Sequence, residues 1–304
     1  MTSGHPWIAA PSLDSLPAGR RASSGVEVRY EDIAQDGRLK VESLPHFMGV
    51  VCWRKLVAPL PGAQILREHT IVPILSRLLV VGGAGPFSVR EDVTAHGGFE
   101  MAQTLPDARG ETRLVLNLLA NIDGVVGRTH GAPPENAGSI AHAGTVFAEH
   151  VFTRPFAAPD ARKVKALPDG VYHEAYAEHA WVTGESLLAL PTTATAIGPA
   201  LAPDEHTTTF GIKHTDSNQH VNSLVYPQSF EEAVLGALAR AGKGTQRLMT
   251  AFEIRYRKPC FVGDRVRWSL SLAEEGKRTF ASGVLLPAED AGAKPYCFIR
   301  AELT

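Results

Sequence analysis

Cysteine is scarce in this 304-residue chain: Cys52, Cys260 and Cys297 lie far apart, with no C-x-x-C pair among them. The spacing excludes a disulfide framework and the usual zinc sites, and a reduced, cytoplasmic compartment is expected; neither a metal nor a cofactor is expected for this chain. An excess of charge of either sign is also missing. With a formal net charge of -2, nothing global draws nucleic acid or an anionic membrane. No stretch reaches the roughly 18 uncharged apolar residues of a membrane span. The opening MTSGHPWIAA has no charged start followed by an apolar core, so a soluble, unexported protein is expected. What is present is globular in balance: 44% hydrophobic and 20% charged residues suffice for a real core in two domains or one large one.

Along the chain, residues 1–25 carry Pro6, Pro11 and Pro17 among Ser and Gly and read as a mobile tail, with Arg20 and Arg21 solvated. V-E-V-R-Y from Val26 alternates as a half-buried strand does, and a polar turn around Gly37 follows. Ser43 to Val57 reads as one apolar helix, with Ser43 a candidate N-cap and Pro45 near the first turn. Extended segments rich in Val, Leu, Ile and Thr then run to residue 156. Residues 157–203, with five prolines, read as a linker with a packed excursion in the middle. The order then repeats over 204–304: a strand T-T-T-F-G-I-K-H, a polar turn Thr215 to Tyr226, a helix Pro227 to Ala241 and four more strands.

The second polar turn is unusual for what it gathers. T-D-S-N-Q-H-V-N-S-L-V-Y supplies a carboxylate, amides, an imidazole and a phenol within eleven residues, between a strand and a helix. Asp, Ser and Asn ahead of a helix are ordinary capping and turn residues. His220, Asn222 and Tyr226 at these spacings go beyond what a cap requires. Asp216, Asn218 and His220 alternate, so an extended or tightly turned segment can aim all three at one cleft.

This stretch resembles the D-x-N-x-H-V-N-N-x-x-Y signature of acyl-ACP thioesterases in the hotdog superfamily. Asp216 also falls where the 4-hydroxybenzoyl-CoA thioesterase type carries its catalytic carboxylate. Y-R-K-P-C-F-V-G-D-R-V resembles the superfamily's strand and turn after the helix, and V-R-Y-E-D-I-A-Q-D-G-R-L-K-V-E-S-L-P-H-F is more loosely similar to the N-terminal hotdog. The resemblance implies an α+β double hotdog: two antiparallel sheets, each wrapping a central helix and joined into one continuous sheet, over 26–156 and 204–304. It implies hydrolysis of an acyl-CoA or acyl carrier protein thioester, with Asp216 as nucleophile or water-activating base. Asn218 would position the water or carbonyl, and His220 would orient Asp216 or share its proton. The free N–H groups at the helix start would serve as oxyanion donors. Asn222 and Tyr226 are accessory, fixing the turn and packing beneath it. The plant enzymes carry a Glu-Cys pair where this chain has Pro259-Cys260, so the glutamate is absent, and Glu253 on the same strand has no claim to its role.

Rival readings remain. Cys260 with His220 and Asn218 suggests a papain-like nucleophile, against the plainer reading of a small buried hydrophobe. A hotdog hydratase or dehydratase and a non-catalytic acyl-binding double hotdog are the alternative functions, and a homodimer is one assembly left open. The first polar turn has neither Asn nor His at matching places, which puts the single active site in the second half. His173 and His179 lie six apart, unlike a zincin pair, and G-G-A-G-P is a strand-to-strand turn. His46 reads as a packed core histidine, and Arg255, Arg257 and Lys258 as a solvated strand face.

Overall fold

The computed structural model describes residues 7–107, 110–171 and 175–304. Two compact units divide the chain: Ala10–Val182, and Thr183–Thr304 with the N-terminal residues up to Ala9. Among the described residues no helix is long and apolar enough to cross a membrane.

The first unit is built from β1 (Arg21–Val26), β2 (Val72–Gly82), β3 (Val93–Thr104), β4 (Leu114–Val125), β5 (Ile140–Thr153) and β6 (Ala177–His179). The order is β1-β3-β4-β5-β2 with antiparallel neighbours, and β6 runs parallel to β3. Against this sheet lies α1 (Leu44–Met48), continued by a π-helical segment, Gly49–Val57; a second short helix, α2, covers Gly62–Glu68. The single regular helix expected over Ser43–Val57 therefore changes pitch. The wider turn buries Val51 and Cys52 completely although they are adjacent in sequence, and such widening is a recognised local adjustment of helices. Ser43 stands at the N-cap position but makes no side-chain bond to the free N–H groups there.

Glycine lets helix and sheet meet. A Cβ on Gly97 of β3 would lie 2.4 Å from Val51 Cγ1 and 2.8 Å from Cys52 Sγ. Gly97→Ala should therefore cost about 1–3 kcal/mol by overpacking, read as a lower denaturant midpoint at unchanged slope. An unchanged midpoint would show that the helix can retreat freely.

The second unit carries β7 (Thr195–Pro203), β8 (Thr208–Thr209), β9 (Met249–Tyr256), β10 (Arg265–Glu275), β11 (Arg278–Pro287) and β12 (Cys297–Leu303). The order is β9-β12-β11-β10-β7, antiparallel throughout, with β8 also pairing β10. Helix α3 (Val225–Arg240) buries Tyr226, Phe230, Ala233, Val234 and Leu238, one stripe at helical spacing. Phe230 meets Trp268 of β10 edge-on at 5.0 Å, and the Trp268 indole donates to Ser229 Oγ at 3.2 Å. Each unit thus sets a helix on a sheet, as the hotdog resemblance implied.

Other segments also differ from their sequence reading. The strand expected from Val26 to Tyr30 ends at Val26 and gives way to a 3-10 turn, Tyr30–Asp32. The expected mobile tail contains β1, paired from Arg21↔Gly98 to Val26↔Val93. Leu13 and Leu16 are buried, and the Arg21 guanidinium donates to the carbonyls of Asp14 and Leu16. The expected linker supplies β7 on β10, with a register shift between Leu270 and Leu272 that accommodates Gly198 and Pro199. The expected strand from Thr207 to His214 is curtailed to two residues and turns into a 3-10 segment, Ile212–His214.

Candidate functional site

The segment that leads into α3 is shaped by its own hydrogen bonds. His214 Nδ1 accepts the Gly211 N–H at 2.9 Å and turns the chain out of β8. Thr215 and Val221 then form an isolated bridge, flanked by Asp216 N–H to His220 O at 3.0 Å and Asn222 N–H to His214 O at 2.8 Å. Within this loop the Gln219 N–H donates to Asp216 O at 3.0 Å. Gln219 itself takes a left-handed φ of 62°, a conformation that costs a non-glycine residue about 1 kcal/mol or more. Asp216 Oδ1 accepts the Asn218 N–H at 2.8 Å, the Asx-turn arrangement.

Asp216 is half-buried, whereas Asn218 and His220 are exposed on the same five-residue loop. The expected side-chain bond between His220 and Asp216 is not formed. The imidazole instead meets the Phe261 ring edge-on, with centroids 5.1 Å apart.

Asn222 serves the helix. Its Oδ1 accepts the Leu224 N–H at 2.9 Å and its carbonyl accepts Val225 N–H at 3.0 Å, satisfying donors that a helix start otherwise leaves free. Pro227 has no N–H to offer. The helix start therefore offers fewer oxyanion donors than expected from the sequence, because the Leu224 and Val225 N–H groups are already engaged.

Tyr226 is 2% exposed and packs edge-on against Tyr256 at 5.5 Å. Its hydroxyl accepts the Cys260 N–H at 2.9 Å, and burial raises its pKa. Cys260 lies in the turn after β9 rather than on a strand, and is fully buried. Burial pushes its thiol up to about 12, which opposes the thiolate that a cysteine nucleophile needs. Its carbonyl accepts the Val221 N–H at 2.9 Å and so ties this turn to the loop ahead of α3.

The same loop is built a second time, in the first unit. Ile33 and Leu39 form the bridge, with Ala34 N–H to Arg38 O at 2.8 Å, Gly37 N–H to Ala34 O at 2.9 Å and Lys40 N–H to Asp32 O at 2.8 Å. Bond for bond, Ala34 matches Asp216, Asp36 matches Asn218, Gly37 matches Gln219 and Arg38 matches His220. Sequence reading noticed the missing Asn and His but not that the backbone is shared. Equal spacing from the loop to the buried Leu39 and Val221 was the available signal.

Other singled-out residues fall elsewhere. His46 is exposed on α1, contrary to the core position expected, since the buried stripe there is taken by Leu44, Phe47 and Met48. His173 lies outside the described residues; His179 on β6 bonds Glu100 at 2.7 Å. Arg255 is 3% exposed, so the basic face expected to be solvated is partly interior. Arg257 and Lys258 lie over the rings of Phe298 and Tyr296. Glu253 is fully buried and accepts from Arg300 at 2.6 Å. In the first unit a cavity of about 470 Å³ is lined by Ser23, His96, Asn121, Asp123 and His142 among others. These groups bond one another, with Ser23 to His96 at 2.8 Å and His142 to Asp123 at 3.1 Å.

No protein-family model matches the chain, and no curated protein matches it by sequence. Solved structures do. A provisionally assigned oleoyl thioesterase from Lactobacillus plantarum superposes with a TM-score of 0.59 at 12% identity, covering 94% of this chain and 96% of that one. An acyl-ACP thioesterase from Bacteroides thetaiotaomicron gives 0.56 at 14% identity over 94% and 98% of the two chains. The 12:0-ACP thioesterase from Umbellularia californica gives 0.57 at 14% identity over 93% and 97%. At such identities the likeness is one of architecture, and by architecture the chain is an α+β double hotdog.

Proposed function

We propose that this chain is an acyl thioesterase that hydrolyses an acyl-CoA or acyl carrier protein thioester in the cytoplasm. The observation that carries the reading is the closed loop at the head of α3. It presents Asp216, Asn218 and His220, whereas its backbone twin carries Ala34, Asp36 and Arg38. The neighbouring folds named for thioesterase activity support the same chemistry.

With Oδ1 engaged by the Asn218 N–H, Asp216 has Oδ2 left for the reaction. Acting as a base, it takes a proton from water; the hydroxide bonds the acyl carbon, the C–S bond breaks, and the departing thiolate recovers the proton. Acting as a nucleophile, Oδ2 bonds the acyl carbon, the thiolate leaves, and water cleaves the mixed anhydride. In either route the Asn218 amide positions the carbonyl or water, and the His220 imidazole holds a proton near the carboxylate. Cys260 takes no part, and its buried thiol serves packing.

Free-thiol release from short, long and aromatic acyl-CoAs and acyl carrier proteins tests this. Wild type and Cys260→Ala should both release thiol, with rates within a few-fold of each other. Gain or loss of water without thiol release would replace the reading with a hydratase. No change with any substrate would leave an acyl-binding protein.

A further inference from the structure

His220 is exposed, and among the described residues its imidazole makes no hydrogen bond. A free imidazole on a loop samples several rotamers, and only some of them face a reacting carboxylate. One group on the page limits that freedom: the Phe261 ring, at 5.1 Å with the planes 88° apart.

Phe261 is not where packing alone would put it. Its side chain is on a surface turn, and the residue is 47% exposed. Yet the turn that carries it is held on all sides. Cys260 N–H donates to Tyr226 Oη at 2.9 Å, and Phe261 N–H donates to Asp264 Oδ2 at 2.9 Å. Asp264 N–H returns to Phe261 O at 3.1 Å, while Gly263, at φ 91°, donates to Phe210 O at 2.8 Å. Cys260 O accepts from Val221, the residue immediately after His220. The turn is thus fixed to the loop through the main-chain bond from Val221 to Cys260, and to α3 through the Tyr226 hydroxyl.

The twin loop solves the same problem differently. Its Arg38, in the position of His220, is held within the loop by Asp36, Nε to Oδ2 at 2.6 Å. In the second unit Asn218 replaces that carboxylate, and the orienting group comes from a separate turn.

Resting on the hydrolase reading above, we propose that Phe261 is a positioning residue that holds the His220 imidazole in one orientation on the loop that carries Asp216. The ring does no chemistry; it narrows the imidazole's rotamers by an edge-to-face contact of the kind that stabilises aromatic pairs.

The test compares wild type, Phe261→Ala and Phe261→Tyr by two readouts. In NMR spectra the His220 ring protons of wild type and Phe261→Tyr should show a ring-current displacement that Phe261→Ala abolishes. In thiol release, Phe261→Ala should lower kcat about tenfold, the size of such a contact, with KM within about twofold, and Phe261→Tyr should restore it. Thermal melts of all three should agree, because the side chain is half in water. Unchanged His220 shifts in Phe261→Ala, or unchanged kcat despite altered shifts, would overturn the assignment alone. A wild type that releases no thiol from any substrate would overturn the hydrolase reading and this assignment with it.

Discussion

Asp216→Asn should lower kcat for thiol release by about 10²–10⁴-fold, the range lost when a positioned acid–base group is removed, with the fold intact. The fold should survive because the loop needs only an acceptor at Oδ1 for the Asn218 N–H at 2.8 Å, and an amide oxygen supplies one. The remaining loop bonds, from Asp216 N–H, Gln219 N–H and Asn222 N–H, are all main-chain. Loss of the carboxylate then removes the base or the nucleophile and little else. Single turnover in ¹⁸O water bears on the choice: label in the Asp216 peptide identifies a nucleophile whose anhydride is opened by water at the aspartyl carbon, an outcome a base never gives. Turnover of Asp216→Asn within about threefold of wild type would sink the assignment, as would loss of activity that tracks loss of the folded state.

A second large effect is expected in stability against pH. His150 on β5 is 6% exposed, meets the Trp53 ring edge-on at 5.1 Å, and has a buried Nδ1 without a hydrogen-bond partner. Burial drives its pKa down to about 4, against the opposing pull of the Leu116 backbone, Glu149 and the Ala148 backbone. Between about pH 4 and 6.5 the unfolded chain binds a proton at this position that the native chain refuses. The native advantage is whole above pH 6.5 and is lost as the pH falls toward 4, by about 3 kcal/mol in all. Denaturant titrations at pH 7.5, 5.5 and 4.5 should show this loss in wild type and a shallower one, by about one proton, in His150→Leu. Parallel pH dependences for the two proteins would mean that the imidazole is not a buried neutral group.

Much of the second unit was legible because its residues obey one period at a time. Val225–Arg240 shows a clean helical stripe opened by a proline near its start, and the Asp216–His220 stretch stood out by composition alone. Other segments hid more. Arg21–Val26 is R-A-S-S-G-V, with almost nothing apolar to alternate, and it is a strand because β3 offers an unpaired edge beside it. Thr195–Pro203 contains two prolines and a glycine that mark it as loop, yet an edge position with a bulge tolerates all three. The pitch change at Gly49 answers to packing across β3, which no local pattern encodes. Phe261 was passed over for a similar reason. Its meaning lies in a neighbour forty-one residues away in sequence, and only the closed turn brings the two rings together.

The twin loops carry one further implication. Ala34, Asp36 and Arg38 occupy the same main-chain frame as Asp216, Asn218 and His220, so the frame does not require the chemistry. Substitution at those three positions, with an acceptor kept at 216, should leave a protein that still accumulates, melts normally and keeps its shape. Shape and abundance are therefore blind to whether those three side chains act, and turnover alone reports it.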